Sequence, residues 1–139
     1  MSYNTVQPGR YQMLPEVTKY LLVINALMYL ATSVLSRTPL APFFESLALY
    51  QPGTPSFYPW QILTSVFMHG SFLHLFSNMF SLWMFGALIE NIWGGKRFLT
   101  YYLVTAVGAG VLYLLVNQIE ISIAAGKLLA DGVPQALLS

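Results

Sequence analysis

The sequence has no cysteine and very little charge. Without cysteine, the chain forms no disulfide bonds and offers no thiolate as nucleophile or metal ligand. Only 8% of its 139 residues are charged, whereas soluble domains carry charge on about a quarter of their residues. A chain that is 56% hydrophobic cannot cover a water-facing surface with so few charges. We therefore predict an all-α membrane protein whose apolar surface is covered by the lipid bilayer.

The near balance of charge also bears on partners. The net charge of +1 gives no indication of nucleic acid binding, so no nucleic acid partner is expected. The same value argues against a polybasic segment that would bind a membrane surface.

Three segments are long and apolar enough to cross a bilayer, which takes about 20 residues. They are residues 20–36, 71–93 and 98–119. The first could be a cleaved signal peptide, since small residues follow one another at 31–33. However, a preceding region of residues 1–19 that contains Glu16 suits a retained anchor better. We therefore expect three transmembrane helices.

Basic residues lie unevenly on the two sides of these spans. Arg10, Lys19, Lys96 and Arg97 fall on one side, and Arg37 and Lys127 fall on the other. Because basic residues are concentrated in cytoplasmic loops, this asymmetry predicts a cytoplasmic N-terminus, residues 1–19. The second span then begins in the outer leaflet.

The two remaining segments are expected on the outer side. Residues 37–70 contain five prolines but are rich in Phe, Leu, Tyr and Trp, so we predict a structured outer loop with one or two short amphipathic helices. Residues 120–139 carry Glu120, Lys127 and Asp131, and Gly132 with Pro134 would end a helix. We predict that this last segment is no fourth span but lies at the outer surface.

Polar residues interrupt the start of the second span, M-H-G-S-F-L-H-L-F-S-N-M-F, at residues 68–80. Such side chains are costly at membrane depth and usually have a function. His74 and Asn78 are four residues apart and share one face of a helix. Ser71 is the expected N-cap, which would place His69 on the loop before the helix.

Three interpretations of His69, His74 and Asn78 are open from the residues alone. A metal site is disfavoured, because histidines five apart do not share a face and a zinc site needs three or four ligands. The polar side chains could form hydrogen bonds between helices, each contributing about 1 kcal/mol or less. Alternatively, the imidazole and amide N–H groups of His74 and Asn78 could stabilise a developing oxyanion in acyl transfer.

Residues 57–110 resemble the rhomboid intramembrane serine proteases. The resemblance rests on F-Y-P-W-Q-I-L-T-S-V-F-M-H-G-S-F-L-H-L-F-S-N-M-F-S-L-W-M-F-G-A-L-I-E-N-I-W-G-G-K-R-F, followed by Y-Y-L-V-T-A-V-G-A-G. Within it, H-x-x-x-x-H-x-x-x-N is followed by F-G-x-x-x-E and G-G-K-R-F at the spacing seen in that family. A lone H-x-x-x-N would be a weak signal, but the combination is specific.

The resemblance implies a six-helix core, of which this chain would supply the first three helices. It also implies a serine in a G-x-S-G motif on the fourth helix, paired with a histidine on the sixth. His74 and Asn78 would line the oxyanion site, and His69 would lie at its edge. Structural roles would fall to Trp60, Gln61, Gly86 and Glu90. Substrates would be transmembrane proteins cut near the outer face, no metal or organic cofactor would take part, and the expected location is a bacterial cell (inner) membrane.

The sequence departs from the family pattern in two respects. Trp60 is followed by Gln61 where many members have arginine, which leaves that residue's contacts in doubt. No serine lies in a G-x-S-G motif, and both histidines belong to the second-span region. The chain alone should therefore be inactive.

Three functions remain open. The favoured one is the N-terminal portion of a longer protease that lacks the catalytic dyad. The first alternative is a complete but inactive relative that binds membrane proteins. The second is a small transporter or channel subunit in which His74 and Asn78 line a polar path.

Overall fold

Three long apolar helices dominate the structure, a computed structural model that describes residues 11–134. The first is α1, Glu16–Leu35. The second, Phe72–Trp93, consists of α4 (Phe72–Ser81), a π-helical turn (Leu82–Gly86) and α5 (Ala87–Trp93). The third is α6, Gly95–Ala130. Each is long and apolar enough to cross a membrane, and no strand occurs within residues 11–134. The predicted all-α fold with three such helices is confirmed.

Two short helices lie between α1 and the second long helix. They are α2, Ala41–Glu45, and α3, Gln61–Thr64, and α3 continues into a 3-10 turn at Ser65–Phe67. We call the end of the bundle that carries residues 37–70 the loop end. The opposite end carries the turn between α5 and α6. There Gly94 adopts a φ of 80°, a backbone conformation that residues other than glycine rarely adopt.

The third helix differs most from its expected bounds of 98–119. Instead of giving way to a separate segment at residue 120, α6 continues through Glu120 and Lys127 to Ala130. Charge lowers the hydrophobicity of this stretch, but Glu and Lys are good helix formers and do not break a helix. Gly132, with a φ of 87°, and Pro134 follow the helix end as expected. At about 1.5 Å per residue, 36 residues extend about 54 Å, well beyond a hydrocarbon core of about 30 Å.

Some of the predictions fall outside the described residues. These are the position of Arg10, with the rest of residues 1–10, and the last part of the expected outer segment, residues 135–139.

A small apolar core joins the three long helices. Leu21 of α1, Leu82 of the π-helical turn and Phe98 of α6 are buried against one another. Gly86 allows this contact, because a Cβ there would lie 3.0 Å from Cζ of Phe98 and 2.9 Å from Cδ1 of Leu82. Most other apolar side chains of these helices are exposed, as expected for a surface covered by lipid.

Glu90 joins α1 to the second long helix at the opposite end. Its Oε1 accepts a hydrogen bond from the backbone N–H of Val17 (2.9 Å), and its Oε2 accepts from the backbone N–H (2.7 Å) and hydroxyl (2.8 Å) of Thr18. The first N–H groups of a helix have no partner within the helix, and Pro15 at the N-cap position supplies no side-chain bond. Glu90 therefore caps α1 from another helix.

Candidate functional site

A cleft of about 1180 Å³ lies between the second long helix and α6. At the opposite end α5 packs closely against α6, whereas α4 does not pack extensively against it, so the two helices diverge toward the loop end. Ala48 and Leu49 of the loop contribute to the lining there. His69, His74 and Asn78 all line this cleft. The structure thus brings together the three residues that the sequence singled out.

Local chain geometry explains where each histidine lies. Ser71 has an extended backbone conformation, and its side chain accepts a hydrogen bond from the backbone N–H of His74 at 3.2 Å. This is an N-cap, which satisfies one of the free donors of the first turn. The helix therefore begins at Phe72, with His74 in its first turn and His69 on the preceding loop, as the sequence indicated.

His69 and Asn78 contact each other directly. The Asn78 amide Nδ2 lies 3.3 Å from Nε2 of His69. Because an amide nitrogen only donates, Nε2 must be the unprotonated acceptor and the ring proton lies on Nδ1. Nδ1 is buried and has no hydrogen-bond partner within residues 11–134.

The surroundings of His69 favour this neutral form. Burial lowers the pKa of His69 below its ordinary value of 6.5, and the neighbouring His74 lowers it further. The two ring centroids are 5.1 Å apart. At neutral pH His69 is therefore uncharged and able to accept the bond from Asn78.

His74 and Asn78 present donors to the cleft from successive turns of α4. Both side chains are exposed within the described chain. The amide of Asn78 carries two N–H groups and uses one on His69, so the other is free to point into the cleft. Together with an N–H of the His74 imidazole, it can meet an oxygen that develops negative charge. Within the described part of the chain, no three potential metal ligands lie together.

Gln61 stabilises the loop at this end of the cleft. It is fully buried, and its Nε2 donates to the carbonyl oxygens of Ser46 (3.1 Å) and Ser56 (2.8 Å). Its Oε1 accepts from the backbone N–H of Tyr50 at 3.2 Å. At the position where the expected arginine is missing, the neutral Gln61 therefore both donates and accepts hydrogen bonds.

Trp60 lies at the surface of the same loop, half exposed. Its ring stacks on Tyr58, with centroids 4.5 Å apart, and its Nε1 donates to the carbonyl oxygen of Ser46 at 3.2 Å. Trp60 and Gln61 thus share one backbone acceptor, which ties the start of α3 to the residue that follows α2.

The loop is also bound to α6 through side chains that the sequence analysis missed. Asn117 Nδ2 donates to Oε1 of Gln51 at 3.1 Å, and Nε2 of Gln51 donates to Oε1 of Gln118 at 2.7 Å. Asn25, which the sequence analysis also missed, is fully buried in α1 and donates to the Leu21 carbonyl at 2.7 Å. These residues could have been found from the sequence, because an amide side chain inside or at the end of an apolar span is costly there and usually has a specific contact or function, as a charged side chain does.

Comparisons with known proteins identify the family of this chain. The family model described as Rhomboid domain matches residues 56–127. "Rhomboid-like protease 3" of Toxoplasma gondii is 29% identical over 110 residues, covering 76% of this chain and 41% of the relative. "Rhomboid-like protein 11, chloroplastic" of Arabidopsis thaliana is 35% identical over 97 residues, covering 70% and 32%. "Putative rhomboid protease YdcA" of Bacillus subtilis is 26% identical over 96 residues, covering 69% and 46%.

The chain thus spans less than half the length of each of these relatives. No solved structure matches the chain significantly.

Proposed function

Because this chain belongs to the rhomboid family of integral membrane proteins, we propose that it is the N-terminal portion of an intramembrane serine endopeptidase. In this proposal His74 and Asn78 stabilise the oxyanion, and His69 holds Asn78 at the edge of the site. The serine nucleophile and the histidine base lie on helices outside these 139 residues, which contain no G-x-S-G motif. Substrates are transmembrane proteins cut near the outer face.

The observation that carries the proposal is the 3.3 Å contact between Nδ2 of Asn78 and Nε2 of His69. By accepting one amide N–H, the neutral His69 holds the Asn78 side chain in place with its other N–H free. A preorganised donor of this kind needs no rearrangement when charge develops, which is how an oxyanion site lowers a barrier. His74 and Asn78 both line the cleft and can present N–H groups to it.

The attack would place the serine oxygen on the substrate carbonyl carbon, with the base taking the serine proton. The carbonyl oxygen becomes negatively charged and receives the N–H groups of His74 and Asn78. From the distribution of basic residues we place the loop end outside and the N-terminus in the cytoplasm. The location we propose is a bacterial cell membrane. The cleft then opens toward the outer water that hydrolysis requires.

The test is cleavage of a transmembrane substrate by the longer protease carrying Asn78→Ala. Loss of one oxyanion donor is expected to lower kcat by about 10²–10³-fold. Asn91→Ala is the matched control, since Asn91 lies on the same long helix but bonds the backbone of Gln12 at the opposite end. Equal turnover of the Asn78→Ala and Asn91→Ala enzymes, both folded, would refute the oxyanion role.

The inactive relative remains a second candidate because the chain itself lacks the dyad. It predicts that the natural protein carries no serine protease activity, yet co-purifies with membrane proteins when extracted in mild detergent. Turnover of any substrate by the natural protein, abolished by a serine-reactive inhibitor, would exclude this candidate.

A further inference from the structure

The second long helix contains one π-helical turn, Leu82–Gly86, between two α-helical segments. Turns of this kind are rare and frequently occur at functional sites. The turn separates the polar residues of the cleft from Glu90, which caps α1. Its position raises the question of what the interruption does for these two groups.

On this helix, five residues whose contacts are described above follow one another at intervals of four. They are His74, Asn78, Leu82, Gly86 and Glu90. The first four line the cleft. The last lies at the end of the cleft where α6 begins, since its Oε1 is 3.3 Å from the position a Cβ on Gly95 would take. The five residues therefore form one stripe along one side of the helix.

An uninterrupted α-helix could not keep such a stripe on one side. Four residues rotate by about 400°, so each interval drifts by about 40° and the four intervals by about 160°. His74 and Glu90 would then face nearly opposite directions. A π turn holds one more residue per turn, which removes about 100° and leaves a drift of about 60°.

We propose that the π-helical turn is a positioning element that takes up one residue, so that His74 and Asn78 face the cleft while Glu90 caps α1. Two of its central residues, Trp83 and Met84, are exposed and do not line the cleft. The extra residue is thus accommodated on the side away from the cleft. The alignment of His74, Asn78 and Glu90 by the turn does not depend on the proposed protease function. The importance of this alignment for catalysis rests on that function.

Deletion of Met84 tests the proposal in this 139-residue chain. Removing one residue from the π turn should convert it to α-helix while leaving Asn78 and Glu90 in their present relation. Deletion of Leu112 is the control, since this residue is also exposed but lies in regular α-helix of α6. There the deletion rotates Asn117 and Gln118 by about 100° away from Gln51.

Two measurements in detergent micelles report on the two ends of the stripe. At the Glu90 end, Glu90→Gln should lower the melting temperature equally with and without Met84. At the cleft end, the imidazole nitrogen chemical shifts of His69, assigned with a His74→Ala variant, should not change on deletion of Met84. Deletion of Leu112 should lower the melting temperature more than deletion of Met84.

The opposite results would overturn the proposal. A Glu90→Gln effect that vanishes when Met84 is deleted would show that Glu90 has rotated away from α1. Changed nitrogen chemical shifts of His69 would show that Asn78 has rotated away from His69. Deletion of Phe85 is a second way to shorten the turn. Failure of both shortened chains to fold would also contradict the proposal, because the shortened helix should keep the contacts of Asn78 and Glu90.

Discussion

Replacing Glu90 by alanine removes the side-chain cap that the described residues place on the first turn of α1. Three hydrogen bonds of 2.7–2.9 Å are lost. The backbone N–H and hydroxyl of Thr18, which is fully buried, then have no acceptor, and the N–H of the partly buried Val17 loses its partner. A stranded buried polar group costs about 1–3 kcal/mol. We therefore expect Glu90→Ala to lower the free energy of unfolding by roughly 3–5 kcal/mol.

The assay is denaturant unfolding in detergent micelles, followed by circular dichroism. Glu120→Ala is the matched control because Glu120 is exposed on α6, and such surface changes usually stay within about 0.5 kcal/mol. Glu90→Gln keeps the side-chain volume and one acceptor oxygen, so its effect should lie between the two. If Glu90→Ala and Glu120→Ala unfold at the same denaturant concentration, the capping role of Glu90 is wrong.

Two further predictions concern the loop end. The lowered pKa of His69 means that the folded state resists protonation, so the contribution of the His69–Asn78 bond to stability should be complete above about pH 6.5 and decline as the pH falls below that value. His69→Gln should weaken this decline when unfolding is measured at several pH values. A pH profile of stability that His69→Gln leaves unchanged would contradict the prediction. Gln61→Leu leaves the Tyr50 N–H and the Ser46 and Ser56 carbonyls without their hydrogen-bond partner. Limited proteolysis should therefore cut residues 37–70 faster than in a Gln12→Leu control. Equal cleavage rates would show that Gln61 does not stabilise the loop.

The sequence predicted the parts of the fold that depend on local chemistry. Low charge and three apolar runs were sufficient for three long helices, and Ser71 was sufficient for the start of the second. The shared face of His74 and Asn78 also followed from helical periodicity, and the loop position of His69 followed from the N-cap. Each of these features depends on residues close together in the chain.

The features that were missed depend on distant residues or on small departures from regular geometry. The Gln51 contacts with Asn117 and Gln118 span more than sixty residues, and no local pattern predicts them. The end of α6 was placed too early because hydrophobicity was taken as a guide to helix length. The π-helical turn was overlooked although the intervals of four were visible, since those intervals acquire meaning only once their contacts are known.

The central claim is that His74 and Asn78 stabilise an oxyanion formed at a serine outside these 139 residues. Labelling with a serine-reactive fluorophosphonate tests it most directly, because the phosphoryl oxygen of the probe occupies the place of the oxyanion. We predict no specific labelling of the 139-residue chain, and labelling of one serine in the longer protease that Asn78→Ala slows by about 10²-fold or more. Specific labelling of the 139-residue chain, or an unchanged rate in the Asn78→Ala protease, would contradict the claim.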